Sequence, residues 1–213
     1  MEANFWQQKW ERGETAFHQK QANPQLVGHF EKLKLQKGSR VFLPLCGKTL
    51  DIAWLLASGY QIVGAELSEI AINELFQSLG LQPEIAKVGK LIRYSAQDID
   101  IYVGDIFELT AQTLGPVNAI YDRAAFVALP ADTREKYAAH MVKVTEAPLQ
   151  LLITYEYDQS LIDGPPFSVN GDELKHLYGG TYTLKALETH DVEGGMKGKV
   201  ASTETAWLLQ KTL

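Results

Sequence analysis

Arg40-Val41-Phe42-Leu43-Pro44-Leu45-Cys46-Gly47 and, further on, Ile62-Val63-Gly64-Ala65-Glu66 are the stretches whose reading decides the fold. The first is an apolar strand that ends in a tight turn. Leu50, Ala53, Trp54 and Ala57 follow at helical spacing, and Gly59 stops that helix. The second stretch is a strand that closes on an acid about 20 residues beyond the turn. Together they make the β-α-β of a doubly wound sheet. In this geometry the turn lets a ligand approach the backbone, and the acid accepts from ribose hydroxyls.

The alternation continues outward from this unit. Ser68 caps a helix whose face is Ile72, Leu75, Phe76 and Leu79, and Gly80 closes it. Residues 82–98 are polar and irregular, with room for a short extra strand over 91–94. Strands are expected at Ile99 to Val103, Val117 to Tyr121 and Leu149 to Tyr155, the last a continuous apolar-rich run as a central parallel strand should be. A helix opens near Pro130 and another runs from Asn170 to Tyr178. Thr181 to Leu187 and Glu204 to Gln210 read as closing strands. Upstream, Asn4 to Glu11 and Pro24 to Leu35 read as helices. No repeat or linker interrupts the 213 residues. One α/β domain is expected, with residues 1–37 before a Rossmann-like core over 38–213.

Gly47-Lys48-Thr49 invites comparison with a nucleotide-triphosphate loop. That pattern needs glycine at position 42, which is Phe42, so the phosphate-cradling concavity is missing. The three-glycine dinucleotide fingerprint is also absent, and a pyrophosphate requires its close approach to a helix N-terminus. A nucleoside ligand without phosphate does not. S-adenosyl-L-methionine has an adenosine and an amino-acid tail but no phosphate, and a turn with one glycine is sufficient for it. Leu45, Glu66, Asp105 and Arg123 all fall at the carboxyl ends of expected strands, where open α/β sheets bind ligands. Ile106 and Phe107 offer a wall for a flat base. Arg123 is either half of a salt bridge with its neighbour Asp122 or a fork for a carboxylate.

The bulk numbers exclude other classes. A net charge of −6 without a basic stretch argues against nucleic acid. No apolar run approaches the roughly 18 residues that span a bilayer. Met-Glu-Ala-Asn-Phe-Trp has neither the basic start nor the apolar core of a signal peptide. Cys46 is the single cysteine, which fits a reducing cytoplasm. The five histidines are scattered, and no metal site is expected.

Several blocks in a fixed order give the chain a resemblance. They are Trp6-Gln7-Gln8-Lys9-Trp10, then Gly13, Thr15, Phe17 and His18, then Pro44-Leu45-Cys46-Gly47-Lys48 and Val63 to Ser68. Asp105-Ile106-Phe107, Tyr121 to Ala125 and Gly164-Pro165-Pro166-Phe167 follow. In these the chain resembles the thiopurine S-methyltransferase family of class I S-adenosylmethionine-dependent enzymes. The resemblance implies a mostly parallel seven-stranded sheet of order 3-2-1-4-5-7-6, strand seven antiparallel, with helices on both faces. It implies cofactor contacts at Trp10, Leu45, Glu66 and Arg123, with the adenine beside Ile106 and Asp105. It implies an N-terminal helical cover, in which Trp10 and Phe17 enclose the site, and a monomer acting on a small-molecule thiol acceptor.

The implied chemistry is an in-line displacement by a soft nucleophile, in which alignment and exclusion of water supply the rate. A heterocyclic thiol ionises easily, so no strong base is needed, and His18 is a weak candidate for one. Phe17, Arg123, Pro166 and Lys197 are the candidate acceptor contacts; Arg123 could serve the cofactor carboxylate or an anionic acceptor. One departure stands out. Family members that act on thiopurines carry an arginine in the loop before the last strand, and Glu193 to Lys199 here holds none. Lys197 or Lys199 could stand in only as a point charge. Some bacterial members of this family are linked to methylation of selenium or tellurium compounds, and the resemblance keeps that acceptor class open. A nicotinamide-dependent oxidoreductase and a non-catalytic S-adenosylmethionine-binding protein are the competing readings.

Overall fold

The computed structural model describes residues 3–14 and 19–212. Helices α1 (Ala3–Glu11) and α2 (Pro24–His29) come first, and a 3-10 turn (Phe30–Leu33) continues α2. The order is then β1 (Arg40–Leu43), α3 (Leu50–Ala57), β2 (Gln61–Glu66), α4 (Glu69–Leu79), β3 (Glu84–Val88), β4 (Leu91–Ala96) and β5 (Ile99–Val103). The second half runs α5 (Ala111–Leu114), β6 (Ala119–Asp122), α6 (Ala131–Thr145), β7 (Leu149–Tyr157), α7 (Gly171–Tyr178), β8 (Tyr182–Asp191) and β9 (Ser202–Lys211).

One sheet holds nine strands in the order β3-β4-β5-β2-β1-β6-β7-β9-β8. From β5 to β7 neighbouring strands are parallel. β9 is antiparallel to both β7 and β8. Within this sheet lies the expected order 3-2-1-4-5-7-6. The seven-stranded count needs correction, because the β3–β4 hairpin extends the sheet beyond β5 by antiparallel pairing. β3 is exposed along nearly its whole length, so it has no apolar periodicity to betray it. Pairing makes it a strand, across a two-residue turn whose Gly89 has a φ of +62°.

The sequence folds this way because alternate strand residues serve opposite faces. Phe42, Val63, Ile120 and Leu152 pack with Tyr137 and Met141 of α6 and Leu174 of α7. Val41, Leu43, Ile62 and Leu151 pack with Leu26 of α2, Ile52 and Leu55 of α3, and Ile72 and Phe76 of α4. The expected helices on both faces are therefore present. The helix expected over 24–35 is shorter than its apolar pattern: it tightens to a 3-10 turn and ends where Lys34 turns left-handed. Asn23 caps its start, and the buried Asp51 carboxylate accepts from the Asn23 N–H at 2.7 Å and the Tyr121 hydroxyl at 3.0 Å. This fixes the N-terminal segment to α3 and β6.

Candidate cofactor site

The crevice outside the carboxyl ends of β1 and β6 is a switch point, since the chain leaves β1 toward β2 on one side and β6 lies on the other. At its centre is the turn after β1. Leu45 and Gly47 both have positive φ, at 45° and 52°. The Cys46 N–H donates to the Ala65 carbonyl at 3.0 Å, which carries the turn back onto β2. Thr49 then caps α3.

Glu66 is the organiser of the turn. One carboxylate oxygen accepts from the Gly47 N–H at 2.7 Å and the other from the Ser68 N–H at 2.8 Å. Its side chain is buried, which pushes its carboxyl above the ordinary value, and the two N–H groups pull the other way. Each carboxylate oxygen keeps capacity for a second donor. This arrangement discriminates between ligands. The Gly47 N–H, which a phosphate loop would offer to its anion, is given to a carboxylate. A phosphate would meet an acid there, whereas sugar hydroxyls would meet an acceptor.

Trp10 closes the turn from above. A Cβ on Gly47 would lie 3.1 Å from Trp10 Cζ2, and the indole is 6% exposed. The bare backbone of Gly47 thus gives the Trp10 indole its room against the turn. Gly64 plays a similar part on β2, where a Cβ would come within 2.9 Å of Cys46 Sγ and 2.6 Å of Ile101 Cδ1. Burial, and then the Glu66 charge, raise the Cys46 thiol well above its ordinary range.

After β5, Asp105 is exposed and accepts from the Phe107 N–H at 3.0 Å, which shapes a short 3-10 turn. Ile106 is buried, and its carbonyl is 2.8 Å from His140 Nε2. Burial lowers the His140 pKa, so the neutral ring donates from Nε2 to that carbonyl. Phe107 is 40% exposed and stands edge-on to the same ring.

Arg123 directly follows β6 and is half-buried. Its neighbour Asp122 is fully buried and turned elsewhere: it accepts from the Phe126 N–H at 3.0 Å and the Tyr137 hydroxyl at 2.7 Å. Burial pushes that carboxyl up to about 6. The guanidinium acts instead on the Tyr155 hydroxyl, on which the Glu204 carboxylate also acts. Tyr155, Glu204 and His190 are register partners across β7, β9 and β8, and His190 Nε2 lies 3.3 Å from Glu204. Sequence reading missed Tyr155 and Glu204. Glu204 entered that reading only as the first residue of a closing strand.

Two of the acceptor candidates, Pro166 and Lys197, sit in the loops that follow β7 and β8. Lys197 Nζ donates to the Asp163 carbonyl at 2.7 Å, which ties the 193–199 loop to the loop after β7. The Pro166 carbonyl accepts from the Tyr157 hydroxyl. The glycines of the 193–199 loop answer to conformation. Gly194, Gly195 and Gly198 have positive φ, and a Cβ on Gly195 would lie 2.2 Å from the Val200 carbonyl oxygen. Phe17 and His18 lie outside the described residues, and among the described residues no group of side chains could hold a metal ion.

The thiopurine S-methyltransferase family model matches residues 1–212. The chain belongs to the thiopurine S-methyltransferase family. It is 51% identical over 212 residues to thiopurine S-methyltransferase of Xanthobacter autotrophicus, covering 99% of this chain and 100% of that one. It is 48% identical over 213 residues to the enzyme of Teredinibacter turnerae, covering 100% and 99%. Among solved structures, a SAM-dependent methyltransferase from Anabaena variabilis superposes with a TM-score of 0.66 at 14% identity, covering 99% and 95%. The 1,6-didemethyltoxoflavin-N1-methyltransferase of Burkholderia thailandensis, solved with S-adenosylhomocysteine, does so at 0.65 and 14%, covering 98% and 87%. The chain is therefore a methyltransferase of class I fold, and S-adenosyl-L-methionine is its methyl donor. The phosphate-averse turn, the Glu66 acceptor and the buried Ile106 fit that cofactor.

Proposed function

We propose that this chain moves the methyl group of S-adenosyl-L-methionine to the sulfur of a small aromatic or heterocyclic thiol, as a single-domain cytoplasmic monomer without nucleic-acid or membrane partners. The observation that carries the reading is the Glu66 clamp on a turn covered by Trp10, set in a chain that matches thiopurine S-methyltransferases end to end. No helix among the described residues is long and apolar enough to cross a membrane.

In this reading Glu66 accepts from the ribose hydroxyls. Leu45 and Trp10 bound the cofactor from either side of Gly47. Ile106 flanks the adenine with Asp105 at its polar edge, and Arg123 takes the cofactor carboxylate. Bound S-adenosylmethionine supplies an electrophilic methyl on a positively charged sulfur. The chain's own residues bind, align and exclude water, Trp10 and Phe17 among them. A thiol that enters as thiolate leaves no proton to be removed, so His18 is not required as a base. Pro166, Lys197 and Phe17 border the acceptor. The 193–199 loop keeps selenium and tellurium acceptors in play, because Lys197 gives its hydrogen bond to Asp163 and the loop has no arginine.

The test is transfer of labelled methyl from S-adenosylmethionine to 6-mercaptopurine at neutral pH over a range of acceptor concentrations. Saturable transfer is expected. Protein that binds S-adenosylhomocysteine yet transfers nothing to 6-mercaptopurine would move the assignment to selenium or tellurium acceptors. Failure on these as well would leave a cofactor-binding protein without catalysis.

A further inference from the structure

Lys48 is the residue that the rejected triphosphate-loop reading leaves without a role. In a phosphate loop this lysine reaches the β- and γ-phosphates. Here its ammonium lies over the Trp10 ring, 5.7 Å from the centroid, and pairs with Glu74 of α4. Helix α1, which carries Trp10, packs on that same α4. Gly47, one residue before Lys48, gives the indole its room. The cover helix, the cofactor turn and α4 therefore meet at one ammonium.

We propose that Lys48 is a positioning residue for the cofactor: it holds the Trp10 indole against the cofactor turn, with Glu74 fixing the ammonium from the other side. The Lys48–Glu74 bridge by itself would matter little, since the two side chains are 26% and 43% exposed and water screens them. Its consequence comes through the ring. A cation held at a fixed point over an indole face attracts it, and the buried indole leaves little solvent to compete. An indole that stays on the turn encloses the cofactor, whereas one that swings away opens the site to water. The inference rests on the reading that Trp10 and the turn hold the cofactor.

The experiment is a double-mutant cycle on the full chain, read as calorimetric affinity for S-adenosylhomocysteine. Lys48→Met keeps the aliphatic stem and removes the charge; it is expected to weaken binding by about three- to tenfold. Lys48→Arg should restore affinity close to that of the unaltered chain, which a generic packing role would not predict. Glu74→Gln should weaken binding by a smaller factor. Lys48→Met combined with Trp10→Ala should bind no more weakly than Trp10→Ala alone, since Lys48 acts through that ring. Trp10→Leu, bulky but without a π face, replaces the alanine variant if the latter fails to fold. Unchanged affinity in Lys48→Met, or a double variant that loses the product of the two single factors, would overturn the proposal. Unchanged affinity in the Trp10 variant would instead overturn the cofactor reading of Trp10 beneath it.

Discussion

Glu66→Gln separates the two tasks assigned to the acid at the end of β2. The carboxylate accepts one N–H on each oxygen, from Gly47 and from Ser68. Glutamine offers one oxygen and one NH2, so one of these buried N–H groups loses its acceptor, at about 1–3 kcal/mol. A second term opposes this loss. The folded-state pKa of Glu66 is raised by burial, so its stabilising contribution belongs to pH below its unfolded value and is lost as pH rises through the folded value. Burial costs the ionised form of the carboxyl, and a neutral glutamine does not carry that cost. The net fall in melting temperature should then be no more than a few degrees, at about 2–4 °C per kcal/mol for a chain of this size. Cofactor affinity has no such offset. Loss of a charged acceptor for the sugar hydroxyls should weaken S-adenosylhomocysteine by about 1–3 kcal/mol, roughly 5- to 150-fold in Kd by calorimetry. A Kd unchanged within about twofold, alongside a lowered melting temperature, would make Glu66 a clamp on the turn and nothing more.

Two further outcomes follow from buried groups near the site. Burial raises the Asp122 carboxyl from 3.8 to about 6, a shift worth on the order of 3 kcal/mol, so its contribution is complete in acid and lost as pH rises through about 6. Asp122→Asn has no such titration; the advantage of the unaltered chain in melting temperature should therefore shrink between about pH 4 and pH 6 and level off above that, and a flat difference would refute a buried charge at this position. Gly64→Ala forces a Cβ to within 2.6 Å of Ile101 Cδ1 and 2.9 Å of Cys46 Sγ, and should destabilise the chain by about 1–3 kcal/mol in urea unfolding. Cys46→Ala in the same chain should recover part of that loss, and no recovery would place the clash on Ile101 alone.

Much of this was legible because the core elements carry strong local signals. The β1 turn, the helix caps at Ser68 and Asn170, and the apolar run of β7 all state their structure in a few residues. The strand ends also located Leu45, Glu66, Ile106 and Arg123, since topology alone takes every parallel strand's carboxyl end to one edge. What escaped depends on partners distant in sequence. β3 is a strand only because β4 lies beside it. Glu204 meets Tyr155 and His190 through register, and no spacing in one strand reveals what faces it from the next. Asp122 read as a salt-bridge partner for its neighbour Arg123. The structure takes it inward to Tyr137, because consecutive residues on a strand point to opposite faces. Lys48 read as part of a failed phosphate motif, and its companions, Trp10 and Glu74, are each tens of residues away.

The inward turn of Cys46 has a consequence for an enzyme that works on sulfur. On the proposed reading, a reactive methyl donor lies over the turn that carries Cys46, the only cysteine of the chain. An accessible thiolate there would compete for the methyl group and would exchange with oxidised acceptor. With Sγ lodged against the bare backbone of Gly64, and ionisation opposed by burial and by the Glu66 charge, the sulfur takes part in neither reaction. The catalyst is thereby insulated from its own chemistry. In the laboratory, reagents that count free thiols would report the disappearance of acceptor against a protein background close to zero.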